Sequence, residues 1–467
     1  MGDGASSGLL PQYLSGPQHK PRNRIRCPIH GFIHFSEAER EVVDHPLFAR
    51  LRRIKQLGFT HYVYPGAMHT RFEHSLGVME LMTRAFDVLA SRRGEEMEAV
   101  FRSRRVPELR ERTMARARQL ARLLGLLHDI GHPPFSHGGE GILVDKDGQS
   151  CKHQTLSAVV VRESDLLGKM LDRLFFPGCA SLLAKLIGEE TCLPELRLIH
   201  QLISGHIDLD RTDYLVRDAL HCGVAYGRFD ALRLIECLET RRDPYDGQLT
   251  LAIERGGVPA FEALLFARYQ MFIQVYYHRV RRVYDIYLNR YLMARGPYRP
   301  MENALQESDV EVEAKILQDA ERKGKTERQQ MAWRLATRSH HKMVFESNPS
   351  AGATEARQMD LVLKRLKREF KGVDFLDDKE AHVTIHEIAM PDTPGTESEG
   401  EPFWVVDSRA NQLQPLGEAS WVLRHIPREM WVLRIFADAD DAEARRIEKM
   451  AYLLWDEKPV AEKGTPT

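Results

Sequence analysis

The chain has few cysteines, and their arrangement does not point to disulfide bonds or to a thiolate metal site. Only six cysteines occur in 467 residues, and none belongs to a C-x-x-C pair. A chain of this length can bury a large core without covalent cross-links. The scarcity of cysteine therefore excludes a small disulfide-stabilised fold, and we expect a protein of the reducing cytoplasm.

The sequence also lacks an uncharged apolar run and an excess of charge of either sign. The apolar stretch LDRLFFPGCASLLAKLIG carries charged residues within the length that would span a bilayer, and no secretory leader pattern is found. The formal net charge is −1, which gives the whole molecule no attraction to nucleic acid. The arginine-rich segment RSRRVPELRERTMARARQLAR is interleaved with Glu108 and Glu111 and is interpreted as a solvated helix face. We expect neither membrane insertion nor nucleic-acid binding.

The sequence has, by contrast, a dense group of imidazoles and carboxylates after an apolar helix. The segment RLLGLLHDIGHPPFSHGGEG places His128 and Asp129 side by side, followed by His132 and His137. The glycine and the two prolines of IGHPP cannot continue a helix. The His-Asp pair is therefore predicted to lie at a helix exit.

Further groups of the same chemistry occur elsewhere in the chain, namely His74 in TRFEHSLG and the aspartates of GHIDLDRTDYLVRD. Adjacent helical residues diverge by about 100°, so His128 and Asp129 can bind one ion only if other segments close its far side. A set of imidazoles and carboxylates without thiolate suits Mn, Fe, Mg or Zn. Any one of these histidines could instead be structural, but three of them with an aspartate in HDIGHPPFSH favour a metal site of phosphoryl chemistry.

Helical periodicity dominates up to about residue 300, for example in MARARQLARLLGLLHDI and EALLFARYQMFIQVYYHRVRRVYDIYLNRYL. Later, AHVTIHEIAM and MWVLRIFAD alternate like strands, the segment PDTPGTESEGE between them is a loop candidate, and DADDAEARRIEKMAYLLW is a helix that Asp438 or Asp440 could cap. We predict a mainly α fold with a smaller C-terminal α+β region. Its expected parts are a flexible tail over 1–24, a helical core over 25–300, a helical and α+β region over 301–455, and a tail over 456–467.

The motifs RFEHSLG, HDIGHPPFSH and DLDRTDYLVRD, in this order, resemble the HD-domain superfamily of metal-dependent phosphohydrolases. Within it the chain is most similar to the deoxynucleoside triphosphate (dNTP) triphosphohydrolases, especially the catalytic domain of the animal enzymes that join a sterile alpha motif domain to an HD domain, and their bacterial relatives. PIHGFI, LRRIKQLGFTHYVYPGAMH and FARYQMFIQVYYHRV agree with this resemblance. The resemblance implies an HD-domain core over about 25–300 and cleavage of dNTPs to deoxynucleoside and tripolyphosphate. It further implies one divalent metal ion per active site and a homo-oligomer, a dimer or tetramer.

Carried over residue by residue, the resemblance implies three groups of site residues. The implied metal ligands are His74, His128, Asp129 and Asp210. The implied catalytic histidines, which line the triphosphate, are His132, His137 and His153. The implied substrate contacts are Gln56 and Asp218 at the sugar 3′-hydroxyl, Leu57 and Tyr276 crowding the 2′ position, and Arg71, Arg211, Tyr214 and Arg268 at the phosphates or elsewhere on the substrate.

Elementary chemistry supports several of these roles independently. Breaking the P–O5′ bond makes an alkoxide the leaving group, and a histidine of near-neutral pKa is its natural proton donor. His137 is the first choice, and Glu140, about one turn later, could orient it. Arg71, three residues before His74, shares a helix face with it, and planar guanidinium groups suit a triphosphate.

The chain departs from the resemblance at the activator-nucleotide site of the animal enzymes. Asp44 and Arg52 match that site, but Ala49 and Cys27 stand in place of a glutamine and an aspartate, and Glu254 and Gly256 in place of basic residues. These departures count against a nucleotide activator.

Three alternatives to a mononuclear dNTP triphosphohydrolase stay open. A binuclear site could recruit His132 as an extra ligand, and another HD phosphohydrolase could act on nucleoside monophosphates, cyclic nucleotides or alarmones. A non-catalytic nucleotide or nucleic-acid binding module is the third. The sugar-contacting residues favour dNTPs, and the complete ligand set argues against a module without catalysis.

Overall fold

The structure is a computed structural model that describes residues 23–144, 147–163, 167–188, 193–296, 307–322, 326–349, 352–388, 402–410 and 412–457. Nearly all of the two predicted tails, and the whole predicted loop PDTPGTESEGE, lie outside these ranges. None of the described helices combines the length and the apolar character that a bilayer crossing requires.

Helices dominate the described residues. They are α1 (Glu37–Asp44), α2 (Pro46–Ala49), α3 (Arg71–Phe101), α4 (Thr113–Leu127), α5 (His153–Glu163), α6 (Leu167–Leu174), α7 (Cys179–Ile187), α8 (Arg197–Ser204), α9 (Leu209–Cys222), α10 (Ala231–Glu236), α11 (Val258–Met271), α12 (Arg279–Arg295), α13 (Asp309–Glu321), α14 (Glu327–Thr337), α15 (Ala353–Glu369), α16 (Leu416–Ala419) and α17 (Asp441–Asp456).

The strands are short and form three small sheets among the described residues. They are β1 (Arg24–Cys27), β2 (Gly31–His34), β3 (Leu238–Arg242), β4 (Leu249–Glu254), β5 (Lys342–Glu346), β6 (Phe375–Thr384), β7 (Trp404–Asp407), β8 (Gln412–Pro415) and β9 (Glu429–Ala437). The sheets are the hairpin β1-β2, the four-stranded sheet β3-β4-β7-β8 with β4 and β7 parallel, and the antiparallel sheet β5-β9-β6. The predicted fold class, mainly α with a smaller α+β region, is confirmed.

Two large hydrophobic cores and a small cluster of Ala252, Trp404 and Val406 hold the described elements together. The larger one runs through the helices from α1 to α14, and α4 contributes an almost continuous apolar face that packs on α3. The smaller core lies between the β5-β9-β6 sheet and the helices α15 and α17, whose apolar faces cover the sheet. Asp440 caps α17 by accepting backbone hydrogen bonds from Ala442 and Glu443, each at 2.9 Å.

Helix α4 carries the second half of the arginine-rich segment that was interpreted as a solvated face, residues 113–122. Several of these arginines pair with acids of the same chain: Arg118 with Asp87 at 2.6 Å and Arg122 with Glu39 at 2.6 Å. The second pair is completely enclosed, with 4% and 1% of the two side chains exposed. These arginines therefore serve contacts within the molecule.

The structure differs from the sequence expectation in two elements. The hairpin β1-β2 precedes the first helix, where only helical structure was expected. The segment from 262 to 292, expected as continuous helix, is divided into α11, a π-helical turn at Phe272–Tyr276, and α12, whose first turn is capped by His278. A π-helical turn inserts one residue into an α-helix and is frequent at functional sites.

Candidate metal centre and phosphate-binding cleft

Three helix ends bring the four predicted metal ligands together. His74 lies in the first turn of α3, His128 and Asp129 follow the last residue of α4, and Asp210 lies in the first turn of α9. The Nε2 atom of His74 lies 2.8 Å from Asp210 Oδ1 and 3.6 Å from Asp129 Oδ2. His128 Nε2 lies 3.4 Å from Asp129 Oδ1 and 3.5 Å from Asp210 Oδ1. One small volume is therefore lined by two imidazoles and two carboxylates.

This volume fits a divalent cation. The Nε2 atom of His128 is buried and makes no hydrogen bond to any described residue, although a buried polar atom is normally paired. One ligand atom from each of His74, His128 and Asp129 lies within 4.8 Å of the others. Imidazole and carboxylate donors without thiolate suit the borderline to hard divalent ions. The residues present could thus hold a divalent metal ion.

A buried carboxylate fixes the orientation of His74. Asp213 Oδ2 lies 2.8 Å from His74 Nδ1, so that the other ring nitrogen faces Asp210. Asp213 also accepts hydrogen bonds from Arg217 at 2.8 and 2.9 Å and lies 2.5 Å from His30 Nε2. Carboxylates that orient ligating histidines are common around metal sites. Burial alone would lower the pKa of His74, but hydrogen bonds to Asp210 and Asp213 outweigh it and raise that pKa to about 10. The centre therefore favours positive charge.

The predicted catalytic residues form a second cluster beside the first. His132, His137, His153 and Glu140 each bring one ligand atom within 4.8 Å of the others. Glu140 joins two of the imidazoles: its Oε2 lies 3.1 Å from His137 Nδ1, and its Oε1 is hydrogen-bonded to His153 Nδ1. Burial alone would raise the pKa of Glu140, but His137 and His153 hold it well below its usual range. Glu140 is thus an anion that orients both rings.

His132 is the most enclosed member of this cluster. Its side chain is fully buried, its ring stacks on that of His153 at a centroid distance of 3.7 Å, and neither ring nitrogen makes a hydrogen bond to a described residue. Its Nε2 lies 3.3 Å from Asp129 Oδ1. Burial, Arg71 and His153 lower its pKa far below the usual value, so the ring is neutral. Asp129 lies between the two clusters.

Arg71 is the predicted phosphate contact that lies deepest. Its Nε donates to Ser136 Oγ at 2.9 Å, and its NH1 donates to Asp129 Oδ2. The guanidinium group therefore connects a predicted metal ligand to the loop that carries His137.

The predicted sugar-binding residues form one hydrogen-bonded group. Tyr276 OH donates to Asp218 Oδ2 at 2.7 Å, and Asp218 Oδ1 lies 2.7 Å from His69 Nε2. The backbone amide of Gln56 donates to the carbonyl of His69 at 3.0 Å, while its side-chain Oε1 is buried and makes no hydrogen bond to a described residue. Leu57 is buried next to Gln56. The structure thus connects Gln56, Asp218 and Tyr276 through His69, which the sequence reasoning missed.

Two of the remaining predicted substrate contacts, Arg211 and Arg268, border an open cleft of about 850 Å³ that reaches Asp210. Arg268 NH1 donates to Tyr214 OH at 2.7 Å, and Arg211 pairs with Asp208 at 3.2 Å. The opposite wall of the cleft comes from the end of β6 and the following residues, 382–388, together with Phe403. The sequence predicted a strand there and gave it no role in the site.

Two further buried residues hold the loop between His128 and His137, and sequence reasoning missed both. Arg50 donates to the carbonyls of Ile130 at 3.1 Å and His132 at 2.8 Å. Asp309, the first residue of α13, accepts from the backbone amide of Phe135 at 2.6 Å and from that of Lys55 at 2.9 Å. Phe135 has a left-handed backbone conformation with φ of 62°, which an anchored amide stabilises. No local pattern identifies these two residues, because each acts across 80 or more positions of the chain.

Comparisons with known proteins give the chain a family and several relatives. Residues 71–218 match the HD domain, and residues 229–462 match the HD associated region. An uncharacterized protein of Methanocaldococcus jannaschii is 36% identical over 269 residues, which are 57% of this chain and 48% of that protein. Deoxynucleoside triphosphate triphosphohydrolase SAMHD1 of Gallus gallus is 32% identical over 232 residues, 45% of this chain and 35% of that enzyme. The chain spans about half the length of the curated relatives it matches, or less.

Solved structures resemble the fold over nearly its whole length. A hypothetical protein from Aquifex aeolicus has a TM-score of 0.69 and 27% identity, covering 91% of this chain and 99% of that one. A phosphohydrolase from Bacteroides thetaiotaomicron has a TM-score of 0.64 and 25% identity, covering 89% and 99%. The HD associated region alone extends over half of the chain, and the HD-domain match contains the four converging helix-end residues. This chain therefore belongs to the HD-domain proteins that carry an HD associated region.

Proposed function

We propose that this protein is a metal-dependent dNTP triphosphohydrolase that releases deoxynucleoside and tripolyphosphate. The observation that carries the proposal is that Asp129 lies between the metal-binding set around His74 and the imidazole cluster on Glu140. The buried carboxylate of Asp218, which accepts from Tyr276, lies on the same helix, α9, as Asp210. The partial similarity to SAMHD1 agrees with the proposal.

A divalent ion held by His74, His128, Asp129 and Asp210 would supply Lewis acidity and positive charge toward a phosphoryl group. We propose one such ion per site, Mn, Mg, Fe or Zn. Three arginines of the chain have further roles. Arg211 and Arg268 offset the charge of the phosphate chain from the cleft wall, and Arg71 holds Asp129 in place.

His137 is our candidate for proton transfer to the leaving 5′-oxygen. Its Nδ1 is occupied by Glu140, so Nε2 is the nitrogen left for the substrate. Its side chain is 59% exposed, which allows it to regain a proton from solvent after each turnover. A positioned general acid of this kind contributes about 10²- to 10⁴-fold to the rate.

The deoxyribose preference rests on the group around Asp218. The buried carboxylate of Asp218 and the amide oxygen of Gln56, which makes no hydrogen bond to a described residue, offer acceptors for a sugar 3′-hydroxyl. The ring of Tyr276 and the side chain of Leu57 fill the adjoining space with carbon, where a 2′-hydroxyl would find no partner.

The direct test is incubation of the purified protein with Mn²⁺ or Mg²⁺ and each dNTP, with the phosphate products separated by ion-exchange chromatography. We expect tripolyphosphate, its loss in Asp210→Ala, and retained metal with turnover reduced about 10²-fold or more in His137→Ala. Glu429→Ala, an exposed acid on β9, is the control and should keep full activity. Release of pyrophosphate or orthophosphate would contradict the proposed bond cleavage.

A second candidate is a binuclear HD phosphohydrolase acting on another phosphate ester. The observation that favours it is the second cluster of possible ligands, His132, His137, His153 and Glu140, with Asp129 between the two clusters. Metal content per chain separates the two, because the first proposal predicts one tightly bound ion and the second predicts two. The His137→Ala variant should lose an ion only in the binuclear case.

A further inference from the structure

The wall of the cleft opposite Arg211 contains a buried imidazole that makes no well-formed hydrogen bond in the described part of the chain. His386 lies two residues beyond the end of β6, and 5% of it is exposed. The backbone of Ile426 partly offsets the lowering of its pKa by burial, but neither buried ring nitrogen has the geometry of a hydrogen bond to a described residue, and the residue lines the cleft that reaches Asp210. An unpaired buried polar group is unfavourable by about 1–3 kcal/mol, so its retention here points to a ligand.

The backbone around His386 is firmly placed. The amide of Ile385 donates to the carbonyl of Arg428 at 2.6 Å, and the carbonyl of Thr384 accepts from Arg268 NH2 at 2.8 Å. The second contact ties the segment to the same arginine that binds Tyr214. His386 is therefore held on the far side of the cleft by the phosphate-facing residues themselves.

The charges around the cleft leave positive groups without enough acidic partners. Both Arg211 and Arg268 have a buried Nε atom that makes no hydrogen bond to a described residue. His206, Arg211 and His386 all line the cleft. Burial, together with the nearby Arg211 and His386, lowers the pKa of His206 to about 4, and burial also lowers the pKa of His386, so both rings are neutral at pH 7 and the positive charge comes from the two arginines. The acids of the cleft are already engaged or exposed: Asp208 pairs with Arg211 and Asp210 with His74, and Glu387 faces solvent.

We propose that His386, with His206 and the free edges of Arg211 and Arg268, forms a subsite for a condensed phosphate chain, beyond the phosphate next to the metal centre. The sources of such a chain are the distal phosphates of a nucleoside triphosphate and free inorganic tripolyphosphate. The proposal rests on the proposed function, because it extends the same cleft. Guanidinium groups donate charge-assisted hydrogen bonds to phosphate oxygens, and a neutral imidazole donates one N–H to them. Through this subsite, the HD associated region contributes to specificity for the length of the phosphate chain.

The test is calorimetric titration of the full chain, with Mg²⁺ in excess, against three ligands: inorganic tripolyphosphate, a non-hydrolysable dNTP analogue, and a deoxynucleoside monophosphate. We expect His386→Leu to weaken binding of the first two about tenfold and to leave the monophosphate unaffected. Its thermal stability should be unchanged or higher, because the replaced ring makes no well-formed hydrogen bond to a described residue. His425→Leu is the matched control, since His425 is exposed and lies outside the residues that line the cleft; its affinities should change less than twofold.

A second pair of variants keeps the test decisive if His386→Leu does not fold. His386→Gln and His386→Glu have nearly the same size, and only the second introduces a negative charge, so Glu should lose tripolyphosphate binding and Gln should retain most of it. Equal binding by the two variants, or equal losses in His425→Leu and His386→Leu, would overturn the subsite. A loss confined to inorganic tripolyphosphate assigns the subsite to the free chain, and a loss for both ligands assigns it to the substrate as well. Tripolyphosphate binding that depends on His386 in a protein that releases no tripolyphosphate from dNTPs would keep the subsite and reject the proposed function.

Discussion

Gly77, the glycine that ends the motif RFEHSLG, leaves room for the residues that support the candidate metal centre. A Cβ atom on Gly77 would lie 2.1 Å from Asp213 Oδ1 and 2.3 Å from Arg217 NH2. These are the atoms that hold His74 by way of Asp213. Burial alone would raise the pKa of Asp213, but Arg217, His30 and His74 keep it well below its usual range. The absence of a side chain at Gly77 thus allows an ionised carboxylate to reach the candidate ligand.

The buried ion pair of Glu39 and Arg122 is predicted to stabilise the fold. Glu39→Gln removes the charge that Arg122 binds at 2.6 and 3.0 Å and leaves a guanidinium group buried with no counter-charge. We expect a loss of about 3–5 kcal/mol in the free energy of unfolding, measured by denaturant titration at pH 7. Asp44→Asn on the same helix is the control, because its pair with Arg40 is more than half exposed and should contribute less than about 1 kcal/mol.

The ion pair of Glu39 and Arg122 also makes the free energy of unfolding depend on pH, and the pKa of Glu39 gives the sign of this dependence. Burial alone would raise the pKa of Glu39, but Arg122 outweighs it and lowers the value from 4.5 to about 2. A carboxylate whose pKa is lower in the folded state stabilises the fold above its unfolded value, and that contribution disappears as the pH falls through the folded value. The stability difference between wild type and Glu39→Gln should therefore be full above about pH 5 and shrink toward pH 2. A difference that is constant over this window would contradict the assignment.

At the scale of elements, the points where helices end or change their pitch position the candidate site residues. Helix α4 ends at Leu127, directly before His128 and Asp129, and the π-helical turn at Phe272–Tyr276 separates α11 from α12. Within that turn, Tyr276 reaches Asp218. The added residue of a π turn changes the direction of the side chains that follow it.

Tyr276→Phe tests the role of this turn. The substitution keeps the ring and removes the hydroxyl that donates to Asp218 Oδ2 at 2.7 Å, so the carboxylate loses one of two partners. We expect kcat/KM for dNTPs to fall about tenfold, measured by steady-state tripolyphosphate release. Tyr277→Phe, the adjacent buried tyrosine, should change kcat/KM less than twofold, and equal effects of the two substitutions would show that the turn acts only through packing.

Helix α13 contributes through its first residue, Asp309, which holds the amides of Phe135 and Lys55. Asp309→Ala should release the loop that carries His137 and reduce kcat about tenfold or more, while metal content stays at the wild-type value. Asp309→Asn keeps one oxygen acceptor and should recover part of the loss. Glu321→Gln, an exposed acid at the other end of the helix, is the control, and metal loss in Asp309→Ala would reassign the residue to the metal centre.

At the scale of the whole molecule, the C-terminal sheet closes the cleft built by the HD domain. Arg282 of α12 donates to both oxygens of Asp378 on β6, at 2.7 and 2.9 Å, and Arg434 on β9 lies 3.7 Å from the same carboxylate. This buried carboxylate joins the helical core to the strand that leads to His386. The HD associated region is thereby part of the site.

Asp378→Ala should loosen that junction, because it leaves Arg282 and Arg434 without their shared counter-charge. We expect faster amide hydrogen exchange over residues 375–388, with exchange in α3 and α4 unchanged. Asp377→Ala, one position earlier with 40% of its side chain exposed, should leave exchange at the wild-type rate. Faster exchange throughout the chain in Asp378→Ala would indicate global destabilisation instead.

The parts of this architecture that could be predicted from sequence are those with local signals. The fold class follows from helical and alternating periodicity, and the candidate ligands follow from HDIGHPPFSH, because the prolines that end α4 lie beside His128 and Asp129. The roles of these residues stay predictions. Asp309 could not be identified, because its contact with Phe135 joins segments 174 positions apart, and His386 could not, because the cleft that it lines is formed with residues distant in the sequence. The π turn was missed because its apolar spacing is the same as that of a regular helix.

Hydrolysis in H₂¹⁸O is the most direct test of cleavage between the α-phosphorus and the 5′-oxygen. We expect one ¹⁸O atom in tripolyphosphate and none in the deoxynucleoside, as measured by mass spectrometry of both products from a single dNTP. Label in the deoxynucleoside, or products that are pyrophosphate or orthophosphate, would contradict it.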